Sequence, residues 1–300
     1  MMTDTFKGLE DGRDKLDRLI DLPINIRHQI QEHMTIEDAA RMSVLSSKWR
    51  HIWASNPKLR ISADYYRKTN QTCTIDIINR ILLQHYGPIK TFLLDISMIN
   101  PFEHSVIDLW MLHLSRNGLV ELTLRSLEYL NAPYKLTPLP PCSFAGFHKL
   151  KSLKSDGVAF ELDVATSFLS VPNLLDLKFL YHKKKFHRQH EAMNLVKLLS
   201  SLPEVRGLIL DGCSLKFLAS GNVARRLSTM LHHLDSLKFY GFDFKDEDQI
   251  CSLLCIIRSC LNLKLQLLLS RIKKDSGMVD LNQLKGQGCR IDELNNLQAL

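Results

Sequence analysis

The side chains that could support chemistry, above all histidine and cysteine, do not form a reactive pattern in this sequence. The histidine pairs His187 with His190 and His232 with His233 have no cysteine or carboxylate at a spacing typical of metal ligands. No nucleophile elbow, phosphate-binding loop or dinucleotide fingerprint is present. The sequence therefore predicts no catalytic residue, no metal and no cofactor, and the chain is not expected to be an enzyme.

The cysteines indicate the compartment rather than a site. There are seven, an odd number at irregular spacing, which is typical of a reduced protein in the nucleus and/or the cytoplasm. They are Cys73, Cys142, Cys213, Cys251, Cys255, Cys260 and Cys289. The start of the chain is charged and lacks the apolar region of a secretory signal. No apolar run reaches the roughly twenty residues that a membrane span needs, so no membrane contact is expected.

The densest basic cluster is KKKFHRQH at residues 183–190, in a chain of net charge +7. A nucleic-acid site would spread such charge over a face and add stacking aromatic side chains. This cluster lies in a single loop between apolar segments. We therefore interpret it as a solvated loop and do not expect nucleic acid as a partner.

A tryptophan stripe near the N-terminus indicates an interface. Trp49, Ile52 and Trp53 recur at helical spacing in the last of three short helices predicted over residues 17–55. So small a unit is marginally stable alone, and tryptophan is enriched where proteins bind each other. Either the following domain or another protein could cover the stripe.

The segment LPINIRHQIQEHMTIEDAARMSVLSSKWRHIW, residues 22–53, resembles an F-box of the plant type. The shared motifs are Leu22-Pro23, Asp38-Ala39, Ser43-Val44-Leu45-Ser46, Lys48-Trp49-Arg50 and Trp53. The resemblance implies docking onto a Skp-type adaptor and, through it, a cullin–RING ubiquitin ligase. The adaptor-facing residues that it implies are Leu22, Pro23, Ile26, Ile30, Val44, Leu45, Ser46 and Trp49.

This segment also departs from the F-box pattern in its first helix. Gln31 and Met34 stand where the family has leucine, and Met42 replaces a usual threonine. A leucine lost from a buried interface costs a few kcal/mol by analogy with core truncations. The alternative hypothesis is therefore a diverged F-box that recruits no ligase, on a protein-binding module of another class.

A leucine-rich pattern, L-x-x-L-x-L, recurs from residue 89 onward. Its segments are IKTFLL (89–94), LVELTL (119–124), LKSLKS (150–155), LLDLKF (174–179), VRGLIL (205–210), LDSLKF (234–239) and an imperfect LKLQLL (263–268). The central residues of the first six follow each other at 24 to 31 residues, with helical or irregular returns between them. This period predicts an α/β fold in which leucine-rich repeats stack into a solenoid arc with a parallel concave sheet. An ordinary α/β domain is the alternative.

Alternation along these strands predicts a binding face. If the pattern leucines point into the core, the residues between and after them face the concave surface. A mixed ladder of charges there suits a protein ligand. The substrate-binding residues predicted in this way are Asp95, Arg125, Lys154, Lys178, Asp211, Lys238 and Tyr240. Solvated positions without a ligand are the alternative.

F-box and repeats together resemble the plant F-box/FBD/LRR-repeat family. The implied function is substrate recognition for a Skp–cullin–F-box ubiquitin ligase, with an unknown protein as target. No convincing FBD core follows residue 275, so that domain is expected to be absent or truncated. The predicted parts are a flexible N-terminal segment (1–16), the F-box (17–60), a linker or first cap of the array (61–88), the six to seven repeats (89–272) and a C-terminal tail (273–300).

Overall fold

The structure is a computed structural model of the 300-residue chain. It forms two compact units, residues 1–92 and residues 93–300. The residues that it describes are 19, 21–34, 36–45, 47–62, 74–100, 103, 105–126, 135–136, 147–157, 159–160, 171, 173–180, 199, 202, 204–219, 226–227, 229–243, 245–260 and 264–267. The predicted segments 1–16, 183–190 and 273–300 lie outside them.

The first unit contains the three predicted short helices. They are α1 (Ile24–Glu32), α2 (Ile36–Leu45) and α3 (Ser47–Ala54). Strand β1 (Lys58–Ile61) and helix α4 (Thr74–Gln84) follow. The first turn of α1 is held by the carbonyl of Pro23, which accepts the amides of Ile26 and Arg27. Because Pro23 has no N–H to leave unpaired, it suits this position.

The core of the first unit takes side chains from α2, α3, β1 and α4, the last through Ile78 and Leu82. Ala39, Trp49 and Ile52 are at most 4 % exposed. In β1 the burial alternates, so that Leu59 and Ile61 point into the core between exposed Lys58 and Arg60. The helical spacing read from the sequence therefore predicts the inward face correctly.

The second unit is built on parallel strands at the predicted segments. They are β2 (Thr91–Asp95), whose first two residues belong to the first unit, β3 (Glu121–Arg125), β5 (Ser152–Asp156), β7 (Asp176–Leu180), β8 (Gly207–Asp211), β9 (Ser236–Tyr240) and β10 (Lys264–Leu267). Successive strands lie side by side in chain order. The parallel pairs from β3 to β10 place the central leucines of the pattern opposite one another, which confirms the predicted register.

A repeated backbone contact explains why the strands stay aligned. The carbonyls of Val120, Lys151, Leu175 and Arg206 each accept two successive amides from the start of the next strand segment. The pattern leucines beside them, such as Leu150 and Leu174, are at most 1 % exposed. Each repeat therefore docks on its neighbour through one carbonyl and one buried leucine.

Helices form the returns between strands. They are the short 3₁₀ turn Ile96–Met98, α5 (Ser105–Arg116), α6 (Gly212–Ala219) and α7 (Glu247–Arg258). The sequence does not predict the small second sheet of β4 (Lys135–Leu136) and β6 (Ala159–Phe160). The described chain is thus mixed α/β, helical at its N-terminus and followed by a parallel sheet. None of its helices is long and apolar enough to cross a membrane.

Candidate functional site

The first unit exposes apolar side chains around the start of α1 and the end of α2. Val44 is 76 % exposed and Ile24 56 % exposed. Of the predicted adaptor-facing residues in α1 and before it, Pro23 is exposed, and Leu22, Ile26 and Ile30 are half-buried. Large apolar side chains exposed this far from a core are typical of binding surfaces when they cluster. The side chain of Leu45 and the whole of Ser46 lie outside the described residues.

Trp49 does not offer its ring to a partner. Its side chain is only 4 % exposed, beside Ile52 at 2 %. The prediction that Trp49 faces an adaptor is therefore corrected, because its ring is buried in the structure. Helix α3 packs against α2 and α1. Trp53, one turn later, is half-buried.

Gln31, which departs from the F-box pattern, is buried without hydrogen bonds from its side chain to the described residues. Its side chain is 2 % exposed, and neither its amide oxygen nor its amide nitrogen has a hydrogen-bond partner among the described residues. A leucine would fill the same place without unpaired polar atoms. Because Gln31 is buried inside its own unit, its divergence costs stability rather than a contact with an adaptor.

A cleft of about 30 Å³ lies beside Gln31. It is lined by Gln31, Glu32, Met34, Ile36, Ala39, Trp53, Asn56, Lys58, Leu59 and Arg60. At its rim the ammonium group of Lys58 lies 2.7 Å from a carboxylate oxygen of Glu32. None of these residues belongs to the predicted adaptor-facing set. A space of this size holds one or two waters or one polar group.

Two histidines of the first unit have lowered pKa values. Burial lowers the pKa of His85, whose Nε2 lies 2.8 Å from the carbonyl oxygen of Asn56. Burial also lowers the pKa of His28, against an opposing effect of Glu32. Both rings are therefore biased toward the neutral form, which makes this unit sensitive to acid.

The predicted binding face of the second unit is present in part. Lys154 is exposed, and Lys178, Lys238, Arg125 and Tyr240 are half-buried. All five alternate with buried pattern residues and so point away from the core. Lys154 and Lys178 stand directly opposite each other on β5 and β7.

The prediction that Asp95 and Asp211 lie on the open face of the sheet is wrong. They are 0 % and 6 % exposed, respectively. The Oδ1 atom of Asp95 accepts the amide and hydroxyl of Ser97, at 3.1 and 2.6 Å. That of Asp211 accepts the same groups of Ser214, at 2.8 and 2.6 Å. Each aspartate caps the helical turn that follows its strand, and the serine two or three residues later is the signal that could have shown this.

Comparison with known proteins now identifies the family. An F-box domain matches residues 19–61. An F-box/FBD/LRR-repeat protein of Arabidopsis thaliana is 30 % identical, over 83 % of this chain and 74 % of its own length. The chain belongs to the F-box/FBD/LRR-repeat family. Two F-box/LRR-repeat proteins of the same plant are 29 % and 28 % identical; the matches cover 66 % and 65 % of this chain, and 50 % and 36 % of those proteins.

In this F-box protein the ends of β8 and β9 carry a polar network that is structural. The ammonium group of Lys216 lies 2.5 Å from Asp246 Oδ2, and Gln249 bonds to both Asp243 and Asp246. Burial, reinforced by Asp211, raises the pKa of Cys213 to about 11, so its thiol stays protonated and unreactive. Within the described residues, no group of histidine, cysteine and carboxylate side chains could hold a metal.

Proposed function

We propose that this F-box protein is the substrate-recognition subunit of a Skp–cullin–F-box ubiquitin ligase. The F-box docks a Skp-type adaptor, and the repeats bind a protein target for ubiquitination. The observation that carries the first half is that the F-box match exposes the apolar side chains of Ile24 and Val44, together with Pro23. The predicted adaptor-facing residues other than the buried Trp49 remain a proposal: Leu22, Pro23, Ile26, Ile30, Val44, Leu45 and Ser46.

The second half of the proposal concerns the architecture of the repeats. We propose that the aligned strands belong to a leucine-rich-repeat solenoid. Its concave side is the half-exposed face of the sheet, which is the face that carries Thr123, Lys154, Lys178, Ile209 and Lys238. The in-register central leucines and the repeated carbonyl contacts support this, because both arise when one unit is stacked on the next by the same step. The proposed domain boundaries are those predicted from the sequence: the F-box at 17–60, a linker or first cap at 61–88 and the repeats at 89–272, between the terminal segments 1–16 and 273–300.

The protein itself is proposed to be non-catalytic. Its contribution to ubiquitin transfer is to hold a target close to an enzyme that carries ubiquitin. Tethering of this kind turns an encounter between two molecules into a reaction within one complex and raises the effective concentration of the target. The functional residues are then contact residues, and variants at them change affinity and not chemistry.

Calorimetry with a purified plant Skp-type adaptor tests the docking. Val44→Asp places a charge in the exposed apolar surface, and we expect it to weaken adaptor binding by roughly thirtyfold or more, as truncation of an interface anchor does. Leu83→Asp is the matched control, because Leu83 is 81 % exposed on α4 of the same unit, outside the F-box match. Equal losses in both variants, or no binding by the folded wild type, would contradict the proposal.

The alternative, a repeat protein whose F-box recruits no ligase, is separated by the same titration. Its support in the sequence is the divergence at Gln31 and Met34. Since Gln31 is buried, the divergence there does not remove a surface contact, whereas Met34 is half-buried. A wild type that fails to bind the adaptor, but still binds a protein through the repeats, would establish the alternative.

A further inference from the structure

The half-exposed face of the sheet carries a row of lysines that cross neighbouring strands at one register. Thr123, Lys154, Lys178, Ile209 and Lys238 stand at this register on β3, β5, β7, β8 and β9. We call them the lysine row. Neighbouring strands lie about 4.8 Å apart, so the side chains of Lys154 and Lys178 leave the sheet from adjacent positions on the same face.

The lysines of this row have no ion pair with any residue in the described part of the chain. From β3 to β9 the register itself carries only Thr123, Lys154, Lys178, Ile209 and Lys238, so it is basic. The acids on the same face lie two residues before or after the row and are Glu121, Asp156 and Asp176. Asp95 and Asp211 are buried as helix caps and do not face the surface.

Like charges side by side on a sheet are destabilising, which makes an unneutralised lysine pair costly to keep. An acidic ligand would remove that repulsion. We infer that the lysine row binds an acidic segment of the target protein. The inference rests on the proposed function, because it names the chemistry of the target that the repeats would hold.

A protein fits this face better than a nucleic acid does. Glu121 and Asp176 are exposed on the same face, two residues before the row on their strands. They would repel a phosphate backbone, which carries charge along its whole length. Ile209, half-buried within the row itself, offers apolar contact that a peptide side chain can use. A row of positive charge beside negative charge and apolar patches suits a segment in which acidic residues alternate with others.

The test uses the full chain and a dye-labelled, end-blocked peptide of alternating glutamate and serine, followed by fluorescence anisotropy at low ionic strength. We expect saturable binding that weakens as salt screens the charges. Lys154→Glu with Lys178→Glu should weaken it by about tenfold or more, since each lost contact becomes a repulsion. Lys154→Gln with Lys178→Gln should weaken it less.

The matched control is Lys149→Glu with Lys151→Glu. Both lysines are exposed in the same unit, they precede β5, and the change in net charge is the same. We expect this variant to bind the peptide within twofold of the wild type once salt is added to suppress long-range effects. Equal weakening by the control, or no binding of the peptide by the wild type, would overturn the inference.

Two further titrations, one with an oligonucleotide and one with the adaptor, distinguish an acidic peptide from nucleic acid and the lysine row from the ligase proposal. Tighter binding of labelled oligothymidylate than of the peptide, lost in Lys154→Glu with Lys178→Glu, would replace the acidic peptide with nucleic acid and overturn the inference. Adaptor titration of the same variant should be unchanged. If the wild type binds the peptide but no adaptor, the ligase proposal fails while the lysine row stands; the opposite pattern overturns the lysine row alone.

Discussion

Two buried glutamines, one in each unit, have opposite surroundings. Gln31 in the first unit is 2 % exposed and lacks a partner for both polar atoms among the described residues. Gln249 in the second unit is 4 % exposed, its Oε1 accepts the amide of Asp243 at 2.9 Å, and its Nε2 donates to Asp246 at 3.2 Å. Burial of a glutamine therefore costs more free energy of folding at Gln31 than at Gln249.

The comparison shows what each of these two amides costs its own unit. In the second unit Gln249 makes its bonds, as does the buried hydroxyl of Ser252, which donates to the carbonyl of Leu215 at 2.9 Å. In the first unit Gln31 makes none with the described residues. A buried polar group with its bonds made is close to neutral for stability, and the same group without them costs about 1–3 kcal/mol. Gln31 is therefore expected to lower the stability of the first unit.

The largest effect is expected from Trp49→Ala. Because the ring is a buried core group, its removal should lower the free energy of unfolding of the first unit by about 3–5 kcal/mol. Urea unfolding followed by the fluorescence of Trp53 measures this change. Loss of adaptor binding with unchanged stability would instead restore Trp49 as an interface residue. Phe239→Ala, a fully buried residue of the second unit, is the matched truncation.

Gln249→Leu comes next and should destabilise the second unit. The substitution removes Gln249 Oε1, which accepts the amide of Asp243, and Gln249 Nε2, which donates to Asp246. The amide of Asp243 then loses its acceptor. We expect a loss of about 1–3 kcal/mol in the free energy of unfolding. Urea unfolding followed by Trp110, which is buried on α5, reports it. A variant as stable as the wild type would show that these bonds are replaced by water.

Gln31→Leu makes the same exchange in the first unit and should act in the opposite direction. It replaces two unpaired buried atoms by methyl groups, so we expect the free energy of unfolding to rise by about 1–2 kcal/mol. The measurement is again urea unfolding followed by Trp53. A destabilised Gln31→Leu would mean that the amide is satisfied by water in the adjacent cleft, and the contrast between the two glutamines would then disappear.

The sequence predicts the periodic parts of this fold well. The pattern leucines lie where expected, and their register is confirmed from Leu122 to Leu265. Periodicity succeeds there because each repeat buries the same face. It also predicts the three F-box helices, the first of which begins directly after Pro23.

The sequence predicts the functional residues less well, for two physical reasons. Alternation assigns a face to each strand residue but ignores what happens where the strand ends, and there Asp95 and Asp211 turn inward to cap the following turn. The resemblance to the F-box implied that Trp49 faces an adaptor, whereas its ring is buried. In both cases the contacts of the side chain determine whether it is buried, and the spacing of residues along the chain does not reveal those contacts.

The smallest effect, a pH dependence, would sharpen the comparison further. Burial lowers the pKa of both His28 and His85 below the ordinary histidine value of about 6.5, so as the pH falls the unfolded chain takes up protons before the folded one does. Stability of the first unit is therefore fully present above pH 6.5 and falls as the pH drops below that value. In the second unit, burial alone would raise the pKa of Asp246, but the hydrogen bonds from Lys216 and Gln249 and the charge of Lys216 together lower this pKa below its usual value, so the contribution of Asp246 is lost only in stronger acid.

Incorporated 5-fluorotryptophan separates the two units in this experiment, because Trp49 and Trp53 lie in the first and Trp110 in the second. Between about pH 7.5 and about pH 5.5, the urea midpoint reported by the first two fluorine resonances should fall more than that reported by the third. His28→Asn with His85→Gln should remove the difference, since neither replacement titrates. Equal shifts of all three resonances would show that the units unfold together, and the acid sensitivity would then belong to the whole chain and not to the F-box unit.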